Sequence, residues 1–224
     1  VSDLLLLFFQ LVLKQIYHYD AARMLAGRKF VPKAGEYLLP ARASLSKVMK
    51  ILHDGRSLQR RVTIVEGQTS AEIVAALDAV PNLTGQIVDS IDEGSLFPDT
   101  YFYTFATDKL DLITRMQNRM QMQLIESWAS RQPNLPYQSP KEALIMASII
   151  EKEAGTINEM ATISGVFHNR LRKKMYLASC PTVGYAMGQP RKKSLTYNDL
   201  KYKSPYNTYQ NKGLPPAPIA SPGK

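Results

Sequence analysis

At 224 residues, with 45% hydrophobic and 21% charged side chains, the chain can bury a substantial core, and its length allows one or two domains. A single cysteine, Cys180, excludes an internal disulfide and any cysteine-based metal site, and the three histidines, at 18, 53 and 168, have no metal-ligand spacing. The net charge of +9 is uneven, because residues 140–224 hold 13 Lys+Arg against 5 Asp+Glu, or +8 of the +9. Such a field attracts nucleic acid, membrane headgroups or a carboxylate-bearing wall polymer without choosing among them. The sequence calls for no metal and no cofactor.

The apolar run Leu4–Phe9, extended to Leu13, is shorter than the roughly 20 residues of a membrane span. It also lacks the basic flank and small-residue cleavage site of a signal peptide. Residues 3–28 read as helix, apolar at Leu5, Phe8, Phe9, Leu11, Val12, Ile16 and Tyr17. A turn at Pro32–Gly35 leads to a short strand, Glu36–Leu39, ended by Pro40. Ser44 then opens a helix over 45–53 that Gly55 closes. Val62–Val65 reads as a strand, followed by Glu66-Gly67 and a capping box, Thr69-x-x-Glu72, that starts a helix to about residue 78. Gly94–Tyr103 is a turn between apolar, aromatic pieces. A long helix over about 108–130 carries Leu112, Met116, Met120, Leu124 and Trp128 on one stripe, a packing face rather than a ligand box. The linker Arg131–Gln138, with Pro133 and Pro136, ends that part of the chain.

Ser139–Gly155 is the most informative stretch. Ser139 suits a cap, Pro140 the first helical position, Glu142 the returning bond of a capping box, and Gly155 the stop. Within it, spacings of three, four and seven align Glu153 with Ala143, Met146, Ile149 and Ile150, all apolar. Glu151 aligns instead with Leu144, Ala147 and Ser148. A carboxyl that extends an apolar stripe is pushed toward the neutral form a general acid needs. The same pattern also fits a solvated charge cluster at a helix end, balanced by Lys152.

A second helix opens at Thr156-x-x-Glu159 and runs through Ile163, Val166, Phe167 and Leu171, which leaves Asn169 and Arg170 near its end. The loops that follow, Leu177–Tyr185, Ser204–Tyr209 and Gly213–Ile219, are dense in Tyr, Asn, Ser and Thr, and six of the twelve tyrosines lie after residue 175. Side chains with apolar bodies and hydrogen-bonding tips suit a sugar chain; they equally suit proline-stiffened loops around a small core.

Several blocks, in order along nearly the whole chain, resemble one family. They are Lys33-Ala34-Gly35-Glu36-Tyr37, Val65-Glu66-Gly67, Leu96-Phe97-Pro98-Asp99-Thr100-Tyr101, Ala147–Glu153, Val166–Leu171, Pro181-Thr182-Val183-x-Tyr185, Ser204–Tyr209 and Gly213-Leu214-Pro215-Pro216. Together they resemble the signature of the endolytic murein transglycosylases, the YceG-like (MltG) family. The resemblance implies an α+β fold: a small, partial LysM-like α+β domain over 1–57, then a mixed α+β catalytic domain over 58–224. It implies a lyase that cuts peptidoglycan glycan strands between N-acetylmuramic acid and N-acetylglucosamine and leaves 1,6-anhydro ends. Glu153 is then the acid and base, with Glu151 the other candidate, and Asn169, Thr182, Tyr185, Tyr206, Asn207 and Tyr209 are expected to hold the sugars.

The resemblance further implies a bacterial inner-membrane protein with one N-terminal anchor and a periplasmic or extracytoplasmic catalytic domain, and it points to penicillin-binding protein synthases as candidate partners. Cys180 stands where the family commonly has Asp. The first strand of the LysM-like unit, the anchor and a C-terminal segment are expected to lie outside this chain. Arg170, Arg172, Lys173, Lys174 and Arg191–Lys193 suit the carboxylates of peptidoglycan stem peptides, or form a solvated basic face. The competing functions are a non-catalytic wall-binding module and a nucleic-acid binder; against the latter, the basic clusters are not interleaved with aromatics and no DNA-reading motif occurs.

Overall fold

A computed structural model of the chain describes residues 31, 33, 35–190 and 194–224. The helix expected over 3–28 and the basic run 191–193 lie outside these residues. The chain divides after Arg60 into two compact units.

In the first unit, α1 (Leu45–Asp54) follows the local signals. Ser44 accepts from the Lys47 N–H, and Gly55, at φ 68°, sends its N–H back to the Ile51 carbonyl. The strand expected at Glu36–Leu39 does not form. This segment gains one backbone bond, from the Leu58 N–H to Glu36 O at 2.7 Å, and an extended run becomes a strand only when another strand pairs with it. The Glu36 carboxylate instead receives a two-pronged hydrogen bond from the Arg60 guanidinium, which holds its pKa below the usual carboxylate range.

The second unit has two cores. The first gathers around short strand pairs: β1 (Arg60–Thr63) beside β3 (Thr100–Tyr103), and β2 (Leu83–Thr84) parallel to β4 (Thr107–Asp108) with Leu83 opposite Thr107. β1 starts and stops two residues before the expected strand at 62–65. Helix α2 (Ser70–Asp78) begins with the capping box read from the sequence: Thr69 Oγ1 accepts the Glu72 N–H and Glu72 Oε2 accepts the Thr69 N–H. Helix α3 (Lys109–Ala129) buries Leu112, Met116 and Met120 of the expected stripe, while Leu124 and Trp128 are half-buried. Ile64, Ile73, Leu77, Leu96, Tyr101 and Tyr103 complete this core.

The second core forms around α4 (Pro140–Glu153), α5 (Ile157–Arg172) and α6 (Cys180–Ala186). It holds Ile145, Met146, Ile149, Phe167, Leu177 and Ile219. Ser139 caps α4 as expected, but Glu142 takes the N–H of Gln138 rather than of Ser139. Gly155 is not the left-handed stop: Ala154 turns extended, and the Gly155 N–H goes to Glu159 Oε2 at 3.0 Å. That bond also replaces the capping box expected at Thr156, which makes no side-chain cap. The stretch 177–185 was expected as loop, yet its last six residues begin a helix.

Buried Ser148 links α4 to the C-terminal segment. Its hydroxyl donates to Ile145 O at 2.7 Å and accepts the Ile219 N–H at 3.1 Å. Ser148→Ala removes that acceptor in a site with no access to water, so it should destabilise the protein by about 1–3 kcal/mol in urea unfolding. An unchanged midpoint would mean that the segment does not depend on Ser148.

Among the described residues no helix is long and apolar enough to cross a membrane, and no group of three or more His, Cys, Asp or Glu is placed to hold a metal ion.

Candidate active site

Glu153 is the last residue of α4. The buried side chains of Met146 and Ile149 fix the helix in the second core, and the apolar row they form runs out at the rim of a cleft of about 680 Å³. The cleft is lined by residues 65–68 and Glu72 from the first half of the unit, and by Lys152, Glu153, Cys180, Pro181 and Pro190 from the second. The apolar surroundings anticipated for Glu153 are only half present, because the Ser179 hydroxyl meets it there. Ser179 Oγ donates to Glu153 Oε1 at 2.6 Å, while Oε2 has no protein partner among the described residues.

Ser179 is held in turn from several sides. Its N–H goes to Thr208 Oγ1 at 2.9 Å, its carbonyl accepts from Thr182 Oγ1 at 2.7 Å, and the two threonine hydroxyls lie 2.9 Å apart. Ser179 occupies the N-cap position of α6, yet makes no cap bond. Its hydroxyl is given to Glu153 instead. Arg170 donates to the Leu177 carbonyl, two residues upstream, and so steadies the approach to this turn.

The three residues of the Glu-Lys-Glu block separate cleanly. Glu151 Oε2 accepts the Gly223 N–H at 3.1 Å, and Lys152 Nζ donates to Gly67 O at 3.0 Å. Both side chains are tied to backbone. Of these three, among the described residues, Glu153 is the one that lines the cleft with a carboxylate oxygen left unpaired.

The other expected site residues fall into four groups. Tyr209 is half-buried beside the cleft, its hydroxyl 3.1 Å from Cys180 Sγ. Burial, then the Cys180 hydrogen bond and charge, then Glu153, push its pKa up to about 12, against an opposing pull from Arg170. The phenol of an unfolded chain ionises near pH 10, so native stability should fall as pH rises from about 10 to 12. Tyr209→Phe should flatten that part of the pH–stability curve; an unaltered curve would detach Tyr209 from this environment.

Thr182 and Asn207 are fully buried, with 0% exposure, and offer a sugar no surface. Thr182 supports Ser179, and Asn207 ties its own loop together through Leu200 O, Tyr202 O and the Tyr209 N–H. Tyr185 and Tyr206 pack against the second core with ring centroids 5.1 Å apart. The Tyr185 hydroxyl donates to Glu93 Oε2 at 3.2 Å, and burial followed by the Glu93 charge raises both phenols above their ordinary value. Asn169 is exposed on α5 and does not line the cleft.

Ser179, Thr208, Glu66 and Gln68 are not among the site residues expected from the sequence, although the fold gathers them at or behind the cleft. One signal was available: a Ser followed two residues later by Pro marks a helix start, which would have placed Ser179 at a fixed turn.

The sequence signature of the YceG-like family matches residues 7–224. The chain belongs to the YceG-like family. It is 32% identical over 222 residues to the endolytic murein transglycosylase of Bacillus subtilis (strain 168), covering 85% of this chain and 61% of that protein. It is 37% identical over 135 residues to the endolytic murein transglycosylase of Streptococcus pneumoniae serotype 2, covering 58% of this chain and 24% of that one. The chain therefore spans about three fifths and about a quarter of these relatives. A crystal structure of a yceG-like protein from Listeria monocytogenes superposes with a TM-score of 0.60 at 31% identity, covering 86% of this chain and 73% of that one.

Proposed function

We propose that this chain is the extracytoplasmic catalytic part of an endolytic peptidoglycan transglycosylase with Glu153 as its acid and base. The observation that carries the proposal is the pairing of a one-sided hydrogen bond with an open cleft. Ser179 orients the carboxyl through Glu153 Oε1, and Oε2, without a hydrogen bond among the described residues, is the oxygen offered to substrate. The names of the Bacillus and Streptococcus relatives supply the substrate class.

In the proposed reaction, protonated Glu153 gives its proton to the glycosidic oxygen between N-acetylmuramic acid and N-acetylglucosamine as the C1–O bond breaks. N-acetylglucosamine leaves as its 4-hydroxyl. The carboxylate then takes the proton of the muramoyl 6-hydroxyl while O6 bonds to C1, which restores the acid and closes the 1,6-anhydro ring. No water is consumed. A glycosidase ordinarily needs two carboxylates; here the nucleophile lies within the substrate, so one carboxyl serves twice. Tyr209 is the sugar-contacting member of the expected set that the geometry favours, and Thr182 and Asn207 act through the turns that hold Ser179 and Tyr209.

The remaining parts of the proposal rest on family resemblance. They are a LysM-like domain over 1–57 before a catalytic domain over 58–224, an inner-membrane anchor preceding this chain, and penicillin-binding protein synthases as partners. The contact division after Arg60 falls close to that boundary. Mass spectrometry of purified peptidoglycan after incubation with the protein tests the reaction. Anhydro-ended fragments are expected; new reducing ends would make the protein a hydrolase, and intact glycan would leave a wall-binding module.

A further inference from the structure

We propose that Glu66 is a second substrate-touching carboxylate of the cleft, which selects an uncharged N-acetylated sugar for the position beside loop 65–68. The inference rests on the cleft being a glycan site and adds to it the residue that sorts one sugar from the other.

Three carboxylates line the cleft, and two are at least partly occupied. Glu72 is committed to the Thr69 N–H, and Glu153 accepts from Ser179 on one oxygen. Glu66 has no hydrogen bond or ion pair among the described residues and is exposed to the cleft. Its mounting is nonetheless rigid. Gly67, at φ 76°, gives its N–H to Ser221 O at 2.8 Å and receives Lys152 Nζ on its carbonyl at 3.0 Å. The stem of Glu66 lies against Gly223, where an added Cβ would come within 2.8 Å of Glu66 Cγ. A charged side chain fixed at its base and unpartnered at its tip is placed to bind something from solution.

The neighbour of Glu66 narrows the ligand. Gln68 Oε1 accepts the Val65 N–H at 3.1 Å, which fixes the amide's orientation and leaves its NH₂ without a partner among the described residues. A carboxylate acceptor and an amide donor two residues apart along one loop complement an acetamido group, which offers one N–H and one C=O. Charge decides between the two sugars of the glycan. N-acetylmuramic acid carries a lactyl carboxylate or a stem peptide, which Glu66 repels. N-acetylglucosamine carries no charge. The cationic side chain in the lining, Lys152, is held on Gly67 O and does not offset Glu66 fully.

The test measures binding without cleavage, by titration calorimetry on the full chain carrying Glu153→Gln. The probes are a neutral N-acetylglucosamine tetramer and an alternating glycan tetrasaccharide with free lactyl carboxylates. Adding Glu66→Ala should weaken the neutral tetramer roughly tenfold, the usual loss for a partly exposed hydrogen bond to a charged acceptor. Adding the isosteric Glu66→Gln should shift the ratio of the two affinities several-fold toward the carboxylated probe, and that shift should shrink at high salt. Thermal melts identify any variant that fails to fold, and the isosteric variant keeps the question answerable if the alanine one does. If the parent binds and Glu66→Ala binds equally well, this inference alone is overturned. If the parent binds neither probe, the glycan reading falls and the inference with it.

Discussion

Glu153→Gln is expected to release no anhydro-ended fragments from peptidoglycan, with activity reduced at least 10²–10⁴-fold, about the contribution of a positioned general acid–base. The substitution is informative because it preserves so much. The glutamine carbonyl can still accept the Ser179 hydroxyl that Glu153 Oε1 accepts at 2.6 Å, so the Ser179–Thr182–Thr208 network keeps its shape. Only the capacity to carry a proton is lost. Glu151→Gln is the necessary comparison. Glu151 Oε2 accepts the Gly223 N–H, an amide oxygen can do the same, and this variant should stay active. The opposite pattern, with Glu153→Gln active and Glu151→Gln inactive, would move the chemistry to Glu151. Ser179→Ala tests positioning: it leaves the carboxyl but removes the hydroxyl that orients it, so kcat should fall roughly tenfold with little change in KM.

The parts of this fold that the sequence made legible are those whose partners lie within one helical turn. The Thr69–Glu72 capping box, the Ser44 and Ser139 caps and the left-handed Gly55 are each determined by neighbours three or four residues away. The expected strand at Glu36–Leu39 failed because pairing depends on a distant segment. The reading of 177–185 as loop failed because Ser179, which occupies an N-cap position, has its hydroxyl drawn 26 residues away to Glu153.

The candidate site divides along the same line. Helical periodicity leaves Glu153 open between an acid and a solvated charge, and the family resemblance is what singles it out; its place at the rim of the cleft comes from the fold. Thr182 and Asn207 read as sugar contacts in the sequence, where a polar side chain does not reveal whether its partner is a ligand or the buried interior in which both are found. Glu66 stands in the sequence only as part of the Val65-Glu66-Gly67 block, since its place in the cleft depends on contacts such as that between Lys152 and Gly67, 85 residues apart.

Gly94→Ala is expected to destabilise the protein by about 2–5 kcal/mol, and its comparison with Gly188→Ala assigns the cause. Both glycines are left-handed, at φ 75° and 69°, so an alanine at either carries a conformational penalty of about 1–2 kcal/mol. Their surroundings differ. Nothing lies within 4 Å of a Cβ at Gly188, whereas a Cβ at Gly94 meets Pro218 Cβ at 2.7 Å, Pro218 Cγ at 2.8 Å and Ala220 O at 3.3 Å. A proline ring and a backbone carbonyl cannot rotate away, so overpacking adds about 1–3 kcal/mol at Gly94 alone. The consequence reaches the cleft through the segment that Gly94 supports. Ile219 is bound by Ser148, and Ser221 exchanges backbone hydrogen bonds with Gly67 and Gln68, the loop that also carries Glu66. Displacing Pro218 therefore shifts one lining of the cleft relative to α4. Gly94→Ala should lower activity even well below its melting temperature, while Gly188→Ala should lose only its small share of stability. Equal unfolding shifts in the two variants would mean that the C-terminal segment yields freely, and the cleft geometry derived from it would have to be abandoned.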